Sequence, residues 1–390
     1  MKLLMVTHYF ASHGGGIELV AEMLFRGLAR RNCEVVWAAA NVSAAPARDV
    51  GGTALPLRAW NGLEGITGLP FPVPSAGALK ELCASVKRAD IVLLHDCLYL
   101  QNIAAFVRAR ALGVPVMIIQ HIGMVPYRNF LLRGMMRLAN ALVTRPMLAA
   151  AQQVVFISHN TARYFAAVPF SRPPALVFNG VDTNVYSPLS QGEDRKALRE
   201  QLGLPREGIV ALFVGRFVEK KGISTMKRMA EMRPDWTWAL AGGGPLDPGG
   251  WKAANARVFS NLRGASMVPL YRACDLLVLP SVGEGFPLVI QEALACGLPV
   301  VCGAETLEAD DALRPFVQAA PVYAGDDDRT AREFLRVIDQ LLDSGAQKSK
   351  VQERHAFAES RYSWDNTIER YLELASCLLP QDACHAVDLP

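Results

Sequence analysis

The sequence contains no uninterrupted apolar run of about 18 residues, the length that a membrane-spanning helix needs. It contains no C-x-x-C pair either, and several of its 8 cysteines lie in apolar segments, which predicts reduced, buried thiols rather than a zinc site. Its glycines do not follow the dinucleotide fingerprint G-x-G-x-x-G, which disfavours a nicotinamide-dependent dehydrogenase. The apolar start at residues 1–6 soon becomes polar, which favours a first buried strand over a signal peptide and predicts a cytoplasmic protein.

Acidic residues are missing between Asp96 and Asp182, where the sequence has eight arginines. Residues 1–172 carry 17 Lys/Arg against 8 Asp/Glu, whereas the remainder carries 23 against 29. A basic first half predicts an anionic partner, either phosphate groups or the cytoplasmic leaflet of a membrane. Arginines scattered over a solvated surface would give the same count, and both interpretations stay open.

Strand-like and helix-like segments alternate along the 390 residues, which predicts α/β domains with doubly wound parallel sheets. The first set of strands is predicted at residues 2–6, 34–40, 91–94, 116–119 and 154–157. The second set is predicted at residues 209–214, 236–241, 257–259, 276–279, 300–302 and near 322. The domains are expected at 1–175 and 207–363, with a linker at 176–206 that is rich in Pro, Asn and polar residues, and a final helix at 364–380.

Residues 280–301 carry the most informative pattern, two glutamates in a strand–loop–helix–strand unit. An apolar strand leads into a glycine-containing turn that holds Glu284. Pro287 suits the first turn of the next helix, Glu292 lies about five residues into it, and Gly297 ends it. Because a helix start offers free N–H groups, it can hold a diphosphate with one carboxylate on either side. This layout fits a sugar nucleotide, and the alternative is a solvated helix glutamate beside a turn glutamate.

The run Glu284-Gly285-Phe286-Pro287-Leu288, followed by Glu292-Ala293, resembles the paired-glutamate motif of the family-4 retaining glycosyltransferases. The resemblance implies an α/β GT-B fold, in which two Rossmann-like domains face each other across an interdomain cleft and the last helix packs back on the first domain. It implies transfer of a sugar from a nucleoside-diphosphate sugar to an acceptor hydroxyl with retention of configuration. By this match Glu284 holds the donor sugar, Glu292 holds the ribose, and the intervening donor-binding residues are Gly285, Phe286, Pro287 and Leu288.

The glycine cluster His13-Gly14-Gly15-Gly16-Ile17-Glu18 resembles the Gly-Gly-x-Glu loop of the same family. Glycines let the backbone approach a phosphate and leave amides free at a helix start. The match implies that Gly16 approaches the donor phosphate while Gly15 supports the turn. A tight turn without a ligand is the alternative.

Gly215-Arg216, followed by Lys221-Gly222, resembles the Gly-Arg…Lys-Gly motif of the family. Arginine can fork onto two phosphate oxygens and lysine adds a point charge, so both can neutralise a departing diphosphate. Lys220 is expected to be an exposed neighbour. Since the basic pair gives the electrostatic stabilisation that a metal ion would give, we expect no metal, and no cofactor besides the donor substrate.

His121 follows a predicted strand, where an imidazole can hydrogen-bond a sugar hydroxyl, and the family has a histidine at the matching place. The alternative is a satisfied core or turn histidine. His8 and the pair His95-Asp96 also end strands and are weaker candidates. The predicted catalytic residues are His121, Arg216, Lys221 and Glu284.

Two glycine turns also resemble family turns. The turn around Gly243 is expected to let the nucleotide approach, together with Gly215. The run Phe178-Asn179-Gly180-Val181-Asp182 resembles the linker signature, with Phe178 in place of a proline. Both could be ordinary surface turns. The run at 302–306 departs from the Gly-Gly loop of the family, which leaves phosphate contacts there without support.

Residues 128–145 combine Met and Leu residues with Arg133 and Arg137. Such a helix can lie on an anionic membrane surface, or it can pack on the sheet with exposed arginines. We expect a nucleotide-sugar donor, a carbohydrate or lipid-linked acceptor and no nucleic acid, with the protein in the cytoplasm at the inner face of the membrane. The rivals are a sugar-nucleotide epimerase or hydrolase of the same fold and a non-catalytic nucleotide-sugar binding protein.

Overall fold

The computed structural model describes residues 1–47, 51–62, 64, 71–124, 130–251, 253–345 and 350–379. These residues form two compact units. The N-terminal unit comprises the described residues of 1–124, 130–179 and 364–379, and the C-terminal unit comprises those of 180–363. No helix in these ranges has both the length and the apolar character that crossing a bilayer requires.

The N-terminal unit is built on a parallel sheet whose central strands are buried on both faces. Its strands are β1 (Lys2–Tyr9), β2 (Glu34–Ala40), β3 (Thr53–Leu57), β6 (Ile91–His95), β7 (Val116–Gln120), β8 (Gln153–Phe156) and β9 (Ala175–Leu176). Their order in the sheet is β3-β2-β1-β6-β7-β8-β9. Two short strands, β4 (Ala59–Trp60) and β5 (Val73–Pro74), pair separately and antiparallel. Near-continuous apolar runs such as those of β6 and β7 are typical of strands covered by helices on both sides.

The helices of the N-terminal unit are Gly16–Arg30, Ala76–Val86, Leu100–Leu112, Phe130–Ala139, Arg145–Ala150, His159–Tyr164 and Trp364–Ser376. A π-helical turn, Asn140–Thr144, connects the fourth to the fifth. The last helix packs closely on the first. Ile368 lies over Gly27, where an added Cβ would come within 2.0 Å of Ile368 Cδ1. Arg31 adds an ion pair to Asp365 at 3.0 Å. Residue 380, which the sequence placed at the end of this helix, lies outside the described residues.

The C-terminal unit repeats the same architecture. Its strands are β10 (Val210–Arg216), β11 (Thr237–Gly243), β12 (Ala256–Phe259), β13 (Leu276–Leu279), β14 (Val300–Gly303) and β15 (Val317–Ala320), all parallel in the order β12-β11-β10-β13-β14-β15. Its helices are Arg195–Gln201, Ile223–Met232, Val268–Ala273, Leu288–Ala295, Ala304–Leu307, Asp327–Asp343 and Val351–Tyr362. Two Rossmann-like sheets of this kind confirm the predicted doubly wound α/β fold.

The differences from the predicted elements are local. The last strand is Val317–Ala320, not a strand near residue 322. Pro287 is the N-cap of its helix and not its first residue, with φ −66° and an extended ψ of 124°. β3, which contains Pro56, was not predicted; it lies at the edge of its sheet, where the missing N–H of proline is tolerated.

In each sheet the strand order reverses at one pair of neighbouring strands. These pairs are β1 and β6 in the N-terminal unit and β10 and β13 in the C-terminal unit. Ligands of open α/β sheets bind outside the carboxyl ends of the strands at such a switch point. The loops that follow these four strands are therefore the first place to look for a site.

Candidate active site

In the C-terminal unit, the loops after β10 and β13 are held against each other. The Val282 N–H donates to the Lys220 carbonyl at 2.9 Å. Gly222 has φ +75°, and a Cβ there would lie 2.4 Å from the Pro280 carbonyl oxygen. Only glycine leaves room for the Pro280 carbonyl at this position. Gly222 therefore allows the two loops to pack together, which fixes Lys221 relative to Glu284.

Lys221 and Glu284 form an ion pair, with Nζ 2.9 Å from Oε1, and their side chains are 18% and 11% exposed. Burial alone would raise the pKa of Glu284, but the positive charges of Lys221 and Lys220 lower this pKa below its usual value. The Glu284 carboxylate therefore stays ionised at neutral pH.

Lys220 is not the exposed neighbour that the sequence predicted, because its side chain is partly buried. Burial lowers the pKa of Lys220, while the nearby charge of Glu284 acts to raise it. The prediction failed because the loop after β10 packs against the loop after β13. The local sequence around Lys220 does not indicate this contact. The charges of two lysines, not one, therefore lower the pKa of Glu284.

Arg216 ends β10 and is exposed, in register with Gly243 of β11. Among the described residues it makes no ion pair. A Cβ at the neighbouring Gly242 would lie 1.9 Å from the Gly215 carbonyl oxygen, whereas a Cβ at Gly243 would meet no atom within 4 Å. Gly242 is thus required by the protein backbone itself, while Gly243 leaves open space beside Arg216.

Glu292 lies in the helix Leu288–Ala295 and accepts a hydrogen bond from the Tyr271 hydroxyl at 2.6 Å. Burial raises the pKa of Glu292, and hydrogen bonds from Tyr271 and Tyr186 partly offset that effect. Sequence reasoning missed both tyrosines, because neither belongs to a motif and they reach Glu292 from other segments. A carboxylate offers about four lone-pair sites, so bonds to two tyrosines leave capacity for a ligand hydroxyl.

The other predicted donor-binding residues lie at or before the start of this helix. Phe286 is 4% exposed and packs edge-on against Tyr362, with ring centroids 5.4 Å apart. Pro287 is buried, while Gly285 and Leu288 are partly buried. Phe286 therefore acts as an anchor that holds the Glu284 loop, and the backbone around the helix start remains for ligand contact.

In the N-terminal unit, Gly15 and Gly16 have different surroundings. Gly15 is the N-cap of the 15-residue helix Gly16–Arg30. A Cβ at Gly15 would lie 2.1 Å from the Glu18 carboxylate, whereas a Cβ at Gly16 would meet nothing within 4 Å. Glu18 is itself held by His8 Nε2 at 2.9 Å. Gly15 thus serves internal packing, and Gly16 leaves open space at a helix start.

His121 is 3% exposed and belongs to a buried polar cluster at the ends of β6 and β7. Its Nε2 lies 3.0 Å from His95 Nδ1, and its backbone N–H donates to Asp96 Oδ1 at 2.8 Å. Burial lowers the pKa of His121 to about 3 and raises the pKa of Asp96 to about 6. The ring is therefore neutral, so that His121 can exchange hydrogen bonds but does not carry a charge at pH 7. His95 and Asp96, the weaker candidates in the sequence, are its direct partners.

A second polar cluster follows β1 and was not predicted. Glu64 Oε2 accepts hydrogen bonds from the Tyr9 hydroxyl and from Asn61 Nδ2, both at 2.8 Å. His13 Nε2 lies 3.3 Å from the same carboxylate, and the His13 ring stacks on Tyr9 with centroids 4.0 Å apart. Residues so distant in the sequence carry no common pattern, so only the fold reveals them. Among the described residues, no group of three His, Cys, Asp or Glu side chains could hold a metal ion.

Comparisons with known proteins give matches along most of the chain. Residues 14–185 match the family described as Glycosyltransferase Family 4, and residues 194–361 match Glycosyl transferases group 1. D-inositol 3-phosphate glycosyltransferase of Mycobacterium leprae (strain Br4923) is 29% identical over 238 residues, which cover 57% of this chain and 54% of the relative. The match thus spans about half the length of that curated relative.

Solved structures resemble this chain over nearly all of its length. Sucrose-phosphate synthase from Thermosynechococcus elongatus superposes with a TM-score of 0.75 at 18% identity, covering 97% of this chain and 99% of that one. The Anabaena protein HepE, in complex with UDP and glucose, gives a TM-score of 0.69 at 18% identity, covering 97% and 100%. At such identities the likeness shows the fold. With the two family matches, it places the chain among the family-4 glycosyltransferases of GT-B fold.

Proposed function

We propose that this protein transfers a sugar from a nucleoside-diphosphate sugar to a hydroxyl of a carbohydrate acceptor, with retention of configuration. The observation that carries the proposal is the Lys221–Glu284 ion pair at the switch point of the C-terminal sheet, beside the start of the helix Leu288–Ala295. A cation and a carboxylate 2.9 Å apart suit the junction of a diphosphate with a polyhydroxylated sugar.

The donor would be bound by groups of three kinds. Arg216 and Lys221 attract the diphosphate, and the N–H groups at the helix start donate hydrogen bonds to its oxygens. Glu284 and Glu292 accept hydrogen bonds from the sugar and the ribose. The predicted glycines Gly16, Gly215, Gly243 and Gly285 let the backbone approach the donor, while Gly15 supports the turn before Gly16. Phe286, Pro287 and Leu288 shape the turn before the helix.

In the reaction, the bond from the sugar C1 to the diphosphate oxygen breaks and a bond from C1 to the acceptor oxygen forms on the same face. The proton of the acceptor hydroxyl passes to the departing diphosphate, so no separate protein base is needed. Arg216 and Lys221 stabilise the charge that builds on the leaving group. We assign His121, as a neutral imidazole, a hydrogen bond to the reacting sugar. Since two side-chain cations act on the diphosphate, turnover should persist in EDTA.

The acceptor is proposed to be a sugar, a lipid-linked saccharide or a polysaccharide precursor, used in the cytoplasm at the inner face of the membrane. One relative is named for inositol 3-phosphate, and a solved neighbour with a TM-score of 0.68, WaaG, is described as involved in lipopolysaccharide biosynthesis. Both names point to hydroxyl-bearing acceptors, one of them phosphorylated.

The experiment begins with thermal unfolding in a panel of nucleotides and nucleotide sugars, because ligands of the native state raise the melting temperature. The stabilising donor is then incubated alone and with a set of acceptors. Transfer to an acceptor with retained configuration supports the proposal. Free or isomerised sugar without acceptor identifies a hydrolase or epimerase, and binding without any turnover identifies a non-catalytic binding protein.

A further inference from the structure

The helix Phe130–Ala139 presents apolar side chains to solvent. Among the described residues, 12 large apolar side chains are exposed, and five of them lie within residues 130–142. Their exposed fractions are 71% for Phe130, 66% for Leu131, 60% for Met135, 58% for Leu138 and 67% for Leu142. Single exposed apolar residues are common on protein surfaces, whereas a contiguous patch marks an interaction site.

Four of these residues share one face. Leu131, Met135, Leu138 and Leu142 recur at the i, i+4, i+7, i+11 spacing of a helical stripe. No residue of the helix Phe130–Ala139 is buried. The sequence-based alternative, a helix that packs its apolar side on the sheet, is therefore wrong for this stripe.

The helix is nevertheless firmly attached to the N-terminal unit through the segment that follows it. Asn140 is buried, and its Nδ2 donates to the Gly123 carbonyl at 3.0 Å. Further along, Met147 and Leu148 are 5% and 0% exposed and enter the core. A π-helical turn, a feature frequent at functional sites, begins at Asn140 and carries Leu142 of the exposed stripe.

The charge around the stripe is of one sign. Arg133 and Arg137 are exposed, and within the described ranges neither forms an ion pair. The sequence from residue 97 to 181 contains eight arginines and no acidic residue, although Arg128 lies outside the described residues. A second copy of the chain would set these arginines near one another in a symmetric contact, which repulsion disfavours. Phosphate headgroups above an apolar layer complement both features.

We propose that the apolar stripe of residues 131–142 inserts into the surface of an anionic phospholipid membrane while Arg133 and Arg137 contact the headgroups. The contact does not depend on sugar transfer, because it lies outside every residue assigned to the donor. It would hold the enzyme at the surface where a lipid-linked acceptor resides.

The test is binding of the full chain to vesicles of phosphatidylglycerol mixed with phosphatidylcholine, compared with phosphatidylcholine alone, at low and high salt. The wild type should bind the anionic vesicles and release as salt rises. Met135→Gln with Leu138→Gln should lower the partition coefficient about tenfold or more, because each buried apolar group contributes. Arg133→Gln with Arg137→Gln should lose about tenfold on anionic vesicles and little on neutral ones.

Val107→Gln is the matched control, since Val107 is 61% exposed on another helix of the same unit. This variant should bind the vesicles as the wild type does. Circular dichroism melting verifies that each variant is folded. No wild-type binding to anionic vesicles at low salt, or equal binding by all variants, overturns the proposal. So does a dimer in sedimentation that Met135→Gln with Leu138→Gln abolishes, because the stripe would then be a contact between copies.

Discussion

Lys221 Nζ lies 2.9 Å from Glu284 Oε1, so a cation assigned to the diphosphate and a carboxylate assigned to the sugar neutralise each other. The pair keeps a mostly buried carboxylate ionised. On the proposed function, a bound donor would offer Lys221 a phosphate and Glu284 a sugar hydroxyl in place of this contact.

Replacing one partner of the pair should destabilise the protein, and replacing both should restore it. Lys221→Met leaves the Glu284 carboxylate in a site that is 11% exposed, so unfolding free energy should fall by about 2 kcal/mol and the pKa of Glu284 should rise. The double variant Lys221→Met, Glu284→Gln should recover most of that loss and still lack transferase activity. Urea unfolding of the four proteins measures the coupling. Equal stability of both single variants with the wild type would show that the pair contributes no coupling energy.

Arg216→Ala should lower kcat by about 10²- to 10³-fold, because the variant loses a hydrogen-bonding cation that stabilises the charge on the leaving group. Melting temperature should barely change, since Arg216 is exposed. Arg216→Lys should recover only part of the rate, because lysine keeps the charge but not the two-pronged geometry. Near-normal turnover by Arg216→Ala would remove Arg216 from the mechanism. Arg257→Ala, at another strand of the same unit, serves as the control.

Gly16→Ala and Gly15→Ala should separate ligand binding from folding. Gly16→Ala places its Cβ in open space at a helix start, so stability should be unchanged or slightly higher while donor affinity falls. Gly15→Ala brings a Cβ within 2.1 Å of the Glu18 carboxylate, so the melting temperature should fall. Thermal unfolding with and without the donor measures both effects. Unimpaired donor binding by a stable Gly16→Ala protein would contradict the role assigned to Gly16.

The buried His121 should make stability depend on pH. Its pKa is about 3 in the folded protein against an ordinary 6.5, so the unfolded chain binds more protons between these values and stability falls as pH falls. From pH 7.5 to 5.5 the loss from this one group is about 1.4 kcal/mol. Asp96, whose folded pKa is about 6 against 3.8, takes up a proton over part of the same range and acts in the opposite direction.

The measurement is therefore a difference between two proteins. Urea unfolding of the wild type and of His121→Gln at both pH values should show a smaller acid-induced loss for the variant, because the contribution of Asp96 largely cancels. Nuclear magnetic resonance of the imidazole nitrogens should show a neutral ring at pH 5.5. A ring that titrates near pH 6.5 would mean that His121 is solvated.

The fold was predictable because its signals are local. Strands such as β13 are continuous apolar runs, and Gly297, at φ +72°, ends the helix Leu288–Ala295 as its sequence indicates. The motif residues Lys221 and Glu284 were predictable as members of one site, since both follow strands that a doubly wound order makes neighbours. Tyr186, Tyr271 and the Glu64 cluster could not be found, because their contacts join segments whose separation is set by the fold alone. Lys220 was misjudged for the same reason.

The helix Trp364–Ser376 completes a unit whose first helix is synthesised much earlier, because Arg31 contacts Glu369 across 338 positions of the sequence. Domains usually fold in the order in which the ribosome releases them. Here the first sheet leaves the ribosome long before residues 364–376, so the face of its first helix around Gly27 stays uncovered until those residues have been synthesised. A nascent chain arrested after residue 363 should therefore be a strong chaperone client, and removal of residues 364–376 should destabilise the N-terminal unit more than the C-terminal unit.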